Sequence, residues 1–159
     1  MSEYFSSSRT VYWPSEYLYI ANMMQGKNEI GDVKFAAMYK ANTFPVIVAA
    51  IIGLIYDRQK DLGPSRGEIL TETFENQKYN GYVPLAAFLL LIPVLAKKDT
   101  ELLRPENESE LLRLFEKYAA GGFEYLGGLL SNSTDPEGET TFQSEINKAT
   151  ELMGKMIKT

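Results

Sequence analysis

Histidine and cysteine are both absent from the 159 residues. Without imidazole the chain lacks the usual general base, proton shuttle and zinc ligand, so Ser-His-Asp, Cys-His and histidine-based metal chemistry are excluded. Without thiols there is no disulfide framework, no thiolate nucleophile and no cysteine metal site, and the cytoplasm is the expected compartment. Any catalysis would have to draw on Asp, Glu, Lys or Tyr. Long apolar runs are missing too. Residues 44–56 and 82–96 are apolar over 13 and 15 positions, short of the ~20 that span a bilayer, and read as buried core helices. The first residues, MSEYFSSSRTVYW, show neither the apolar run nor the cleavage site of a secretory signal. An excess of positive charge is also lacking. Sixteen Lys and Arg against 21 Asp and Glu leave a net charge of -5, which opposes non-specific binding to nucleic acid.

What is present suits one folded domain over residues 1–159. Hydrophobic residues make up 45% and charged residues 23%, both ordinary for a globular chain, and a chain of this length buries roughly 68–70% of its unfolded surface. The helical period dominates, and it predicts an all-α bundle of about six helices. Residues 1–13 form an N-terminal extension with Tyr4, Phe5, Tyr12 and Trp13, read as an aromatic strap over the core. Pro14 opens a helix through residue 25, and Asp32 caps another over residues 33–41. Pro45 places a break near Phe44, after which Thr43 caps an all-apolar helix reaching residues 56–59. The pair Ser65 and Glu68 has capping-box spacing and predicts a helix over residues 66–77. Asn80-Gly81 is a turn signal, read as joining two helices because its flanks lack period-two alternation.

The central pair of helices follows. Pro84 sits in the first turn of one, and Pro93 should kink or shorten it. In the next, Leu111, Phe115, Tyr118, Gly122, Leu126 and Leu129 repeat at helical spacing. Gly121-Gly122 and Gly127-Gly128 are costly inside a helix. A break near Gly121 and a tight helix crossing at Gly127-Gly128 are expected. Residues 131–139 read as a linker to a C-terminal helix over residues 140–157, capped by Thr140 and Gln143, with Phe142, Ile146, Ala149, Met153 and Met156 along one face.

No constellation carries catalysis, a cofactor or a metal. Glu72 and Glu75, Glu106, Glu108 and Glu110, and Glu137 and Glu139 read as solvated surface. Arg58, Lys60 and Arg66 form a basic loop able to meet phosphates, offset by Asp57, Asp61 and Glu68.

Three segments carry a family resemblance: AAIIGLIYDRQ at residues 49–59, LAAFLLLIPVLAKKDTELL, and LFEKYAAGGFEYL at residues 114–126. Over residues 44–130 the chain resembles the small accessory proteins of bacterial DNA phosphorothioation (Dnd) gene clusters. Its most specific part is Glu116 to Glu124, where Ala120 stands in place of the family's asparagine. The resemblance implies an intracellular component of a DNA-modification or phage-defence system, acting within a complex, and transfers no catalytic residue. The preferred reading is a non-enzymatic adaptor or regulatory subunit with a protein partner, possible homo-oligomerisation and no membrane. Its partner would meet Tyr12, Trp13, Tyr118, Phe123, Tyr125 or the last helix. The alternatives are a DNA-binding component using Arg58, Lys60 and Arg66, and a small enzyme using Glu, Tyr or Lys.

Overall fold

Helix α5 (Glu108–Ser131) is the axis on which the other elements pack. A computed structural model describes residues 4–24, 42–79, 81, 83–131 and 136–156. Strand β1 (Thr10–Pro14) leads through a 3-10 turn (Ser15–Tyr17) into α1 (Leu18–Met24), and α2 (Thr43–Ile55) follows. Next come β2 (Arg66–Leu70), α3 (Thr71–Asn76), β3 (Lys78–Tyr79), β4 (Val83–Pro84) and α4 (Ala86–Lys97). Two 3-10 turns, Thr100–Leu103 and Pro105–Asn107, connect α4 to α5, and α6 (Pro136–Met156) closes the chain. The helix expected over residues 33–41 lies outside the described residues.

Six helices are described, and the molecule is mostly helical, but it is not all-α. Two small antiparallel sheets correct that expectation. β1 pairs with β2 from Thr10↔Leu70 to Pro14↔Arg66. The capping-box spacing of Ser65 and Glu68 is therefore not used as a helix start; residues 66–70 are extended, and the helix begins only at Thr71. The physical reason lies across the ladder: TVYWP is rich in β-branched and aromatic residues, and Gly67 stands opposite Trp13, where a Cβ would overlap the indole. Pro14 ends this strand and also holds the cap position of the 3-10 turn that runs into α1, so the helical run expected after it is present, with a 3-10 first turn. β3 and β4 pair either side of Gly81, whose φ of +85 suits a hairpin turn. With two residues per strand there was no alternation to read, so the helix-joining reading of Asn80-Gly81 fails, and Pro84 belongs to β4 and not to a helix.

The core is α2 laid against α5. Every α2 residue from Thr43 to Gly53 is buried. Pro45 falls in its first turn, where a missing amide leaves nothing unsatisfied. Asn42 holds the cap position, and Thr43 instead donates its hydroxyl to Gln77 Oε1 at 2.5 Å. Helix α5 runs unbroken through Gly121-Gly122. A Cβ on Gly122 would overlap the Ala49 carbonyl, one on Gly53 the Tyr118 carbonyl, and one on Gly121 the Arg58 carbonyl. The glycines therefore mark the crossing itself and not a break. A Cβ on Gly127 would press on the Tyr17, Tyr19 and Ile20 side chains at 3.2–3.5 Å and one on Gly128 would meet nothing within 4 Å, so of the expected pair only Gly127 is closely approached, and the backbone-to-backbone crossing sits at Gly121-Gly122. Helix α4 continues past Pro93 to Lys97. Helix α6 begins at Pro136, with Thr140 inside it, and buries Phe142, Ile146, Ala149 and Met153 against α2 and α5. Among the described residues no helix is long and apolar enough to cross a membrane.

Candidate interaction face and cleft

The chain leaving α2 turns back over α5 at residues 56–60. Asp57 takes the left-handed conformation, φ 50, which costs a non-glycine residue about 1–2 kcal/mol. The turn is held from several sides. Arg58 N–H bonds to Gly53 O at 2.8 Å and Lys60 N–H to Lys117 O at 3.1 Å. The missing side chain of Gly121 lets the Arg58 carbonyl sit on the helix. Asp57 also holds the Tyr118 hydroxyl; burial first and this carboxylate second raise that phenol's pKa.

On this base stands a four-layer stack. The Tyr56 and Tyr125 rings lie 4.6 Å apart, Arg58 covers Tyr125 at 5.2 Å, and Lys148 of α6 covers Tyr56 at 5.8 Å. Tyr56 donates its hydroxyl to the buried Glu145 at 2.6 Å, and Lys148 reaches the same hydroxyl at 3.2 Å and Glu145 at 3.1 Å. Burial and the bond to Tyr56 raise the Tyr125 pKa, while bonds to Tyr56 and Glu145 raise that of Lys148. Beside it, Lys60 pairs with Glu124, the neighbour of Tyr125 on α5, at 3.1 Å and lies 5.7 Å over the Tyr17 ring. The bond to Glu124 is the largest influence and raises its pKa; burial, next in size, lowers it, and Tyr17 adds to the rise, which prevails. Tyr19, about half exposed, continues the face. Exposed cations thus rest on half-buried tyrosines whose polar ends are already bonded, a preorganised surface of the composition found at interface hot spots.

The residues singled out from sequence separate here. Trp13, Tyr118 and Phe123 are 4%, 2% and 0% exposed. Trp13 and Tyr17 both pack on Phe123 at 5.8 Å, so these rings fill the molecule's own core. Tyr125 is half-buried in the stack. Tyr12 is half-buried elsewhere, flanked by Arg66 at 5.8 Å and Arg113 at 5.3 Å. Arg58 and Lys60 share the turn, and Arg66 stacks on Tyr12 at the strap. Sequence reasoning missed Tyr56, Tyr17 and Lys148, which reach the face from segments far apart in the chain.

The strap is fixed to α5 by carboxylates. Glu108, expected on the surface, is 5% exposed and accepts from Ser6 N–H at 2.9 Å, the Ser6 hydroxyl at 3.1 Å and Arg9 Nε at 2.7 Å. Burial pushes its pKa up, but these donors together pull it below the ordinary value. Glu116, 3% exposed, accepts from Tyr12 N–H at 2.9 Å and Arg113 at 2.7 Å. There burial wins, and its pKa is raised despite both donors.

Beside the turn lies a cleft of about 720 Å³, lined by Gln59, by Lys97 at the end of α4, by Asp99 and Leu102 beyond it, and by Glu110, Arg113, Leu114 and Lys117 of α5. Among the described residues no cluster of three or more acidic side chains could hold a metal ion.

The segments that meet at the α2–α5 crossing, AAIIGLIYDRQ and LFEKYAAGGFEYL, are those that carry the family resemblance. The sequence model of a family described as DNA sulphur modification system-associated protein 4 matches residues 19–151. The chain belongs to that family. The match extends the resemblance beyond residues 44–130, taking in α1 and most of α6. Neither the curated proteins nor the solved structures contain a match to this chain. In this Dnd-associated protein the α2–α5 crossing that glycine permits lies within the matched residues.

Proposed function

We propose that this Dnd-associated protein is a non-enzymatic adaptor or regulatory subunit that binds another protein of its DNA sulphur modification system. The observation that carries the reading is the Arg58–Tyr125–Tyr56–Lys148 stack. Arginine and tyrosine are the residues that most often anchor interfaces, and side chains held rigid before binding lose little entropy on docking. Tyr125 is the member of the sequence-derived set that stands on this face. Tyr12 offers a second contact beside Arg66, whereas Trp13, Tyr118 and Phe123 support the face from beneath.

Co-expression with each of the other proteins of the same system tests the reading. One should co-purify in fixed ratio, and Arg58→Ala and Tyr125→Ala should each weaken it by about thirtyfold, the scale of a hot-spot truncation, with circular dichroism unchanged. Unaltered binding by both variants would move the interface off the stack. Failure of every candidate to bind would sink the adaptor. Retention of duplex DNA by the purified protein, lost steeply with salt and on replacing Arg58, Lys60 and Arg66, would support the DNA-binding alternative instead.

A further inference from the structure

The β1–β2 ladder has one covered edge and one open edge. Its bonding parity is fixed at both ends: Thr71 N–H bonds to Arg9 O at 2.8 Å and Ser15 N–H to Ser65 O at 3.3 Å, in line with the register from Thr10↔Leu70 to Pro14↔Arg66. Hydrogen-bonded and non-hydrogen-bonded pairs alternate along an antiparallel ladder, so Val11↔Ile69 and Trp13↔Gly67 carry the bonds between these strands. The backbone groups of the even-numbered residues therefore point away from the neighbouring strand. On β1 they meet α5, where Tyr12 N–H reaches Glu116 at 2.9 Å and Arg113 reaches Thr10 O at 3.2 Å. On β2 the same parity turns the N–H and C=O groups of Arg66, Glu68 and Leu70 outward, and among the described residues no other strand or backbone group pairs with them. All three residues are exposed, Leu70 at 50%. An open edge of this kind is a template for another strand.

The charges on β2 say which strand. Arg66 and Glu68 stand two residues apart on the exposed face of the strand, and neither makes an ion pair among the described residues. A second β2, antiparallel to the first about a two-fold axis at Gly67, sets Arg66 opposite Glu68 of the partner subunit and Glu68 opposite Arg66 of the partner subunit. Both are positions where the outward N–H and C=O groups pair. Gly67 then meets its own counterpart, with no side chain between the strands, and at each end the exposed Leu70 falls beside the exposed Pro64 of the partner subunit. The neighbouring register of the same parity, centred on Glu68, would set that carboxylate against itself, and like charges directly opposite one another repel. We propose that this protein forms a two-fold dimer through the outer edge of β2, joining the two β1–β2 ladders into one continuous antiparallel sheet. The interface shares no residue with the Arg58–Tyr125–Tyr56–Lys148 stack and does not depend on the adaptor reading.

Sedimentation equilibrium of the full-length protein over a concentration series tests it. The parent should show a reversible monomer–dimer equilibrium. Arg66→Glu and Glu68→Arg each place two like-charged pairs across the axis and should each weaken the dimer by about tenfold or more. Mixed in equal amounts, the two variants should associate again as a heterodimer, because one chain then offers two acids to the other's two arginines. The double swap Arg66→Glu/Glu68→Arg should dimerise like the parent. Glu68→Pro deletes an outward amide while leaving the bonds to β1 whole, and should abolish the dimer with circular dichroism unchanged. A parent that stays monomeric up to millimolar concentration would overturn the proposal and assign the two charges to guarding a free edge. A dimer indifferent to both charge reversals would overturn it as well, as would one that both weaken and that mixing does not restore.

Discussion

At its middle, helix α5 meets α2 through bare backbone, with Gly53, Gly121 and Gly122 letting carbonyls rest where side chains would stand; nearer its start it meets the strap through charged side chains, Glu108 and Glu116. The crossing draws its stability from close packing and apolar burial, and packing of this kind has no compliance. At the strap the stability comes from charge-assisted hydrogen bonds in a drier setting, where each group is dear to orphan but the partners are few and local. One seam should therefore fail globally and sharply, the other locally and by degrees.

The sharpest way to break the comparison is Gly122→Ala. Its methyl would overlap the Ala49 carbonyl, and neither helix can retreat without uncovering the buried α2. The expected loss is about 3 kcal/mol or more, seen by calorimetry as a thermal midpoint lower by about 10 °C. A midpoint indistinguishable from the parent's would show that the crossing yields.

Glu116→Ala comes next. It leaves the Tyr12 amide and the Arg113 guanidinium without their buried acceptor, a loss of about 2 kcal/mol. The damage should be confined to the strap. Amide exchange at Tyr12 should rise, and the fluorescence of Trp13, the sole tryptophan, should become accessible to iodide, with exchange in α2 unchanged. Matching loss of protection in α2 would show that strap and core unfold together. The two carboxylates also carry opposite pH signs. Glu116 has a raised folded-state pKa, so its contribution is present below the ordinary carboxylate value and lost as pH rises through the raised one. Glu108 has a lowered one, so its contribution is present above the ordinary value and lost as pH falls through the lowered one. Relative to the parent, Glu108→Gln should thus lose less stability on acidification and Glu116→Gln more, measured by urea midpoints across the acid range.

These seams were unequally visible in the sequence. The stripe Phe142, Ile146, Ala149 and Met153 and the all-apolar α2 announce themselves, because helical burial repeats within a few residues. β2 did not: Ser65 and Glu68 match a cap locally, and only pairing with Thr10–Pro14, brought in from the far end of the chain, makes the segment extended. Glu108 reads as surface until Ser6 and Arg9, about a hundred positions away, close over it. Aromatic residues such as Trp13 and Phe123 could be anchors or core on composition alone, and packing decided for core. The stack was invisible for the same reason, since Tyr56, Tyr125 and Lys148 share no local pattern. The glycines announced a cost but not its cause.

That cause is sharpened by the smallest change, Gly128→Ala. Gly128 lies on the same helix as Gly122, six residues later, but a Cβ there meets nothing within 4 Å. With no close approach to protect, only the intrinsic preference remains, and alanine in a helix interior is favoured over glycine by about 1 kcal/mol. Gly128→Ala should therefore stabilise by up to that amount, raising the thermal midpoint by about 2–4 °C, with the co-purified partner retained. Opposite signs for the same substitution at Gly122 and Gly128 would tie the requirement for glycine to the α2–α5 contact and not to any need for flexibility in α5. If Gly128→Ala instead kept the fold and released the partner, the open space above Gly128 would be where that partner's backbone approaches, extending the Tyr125 face by one turn of helix.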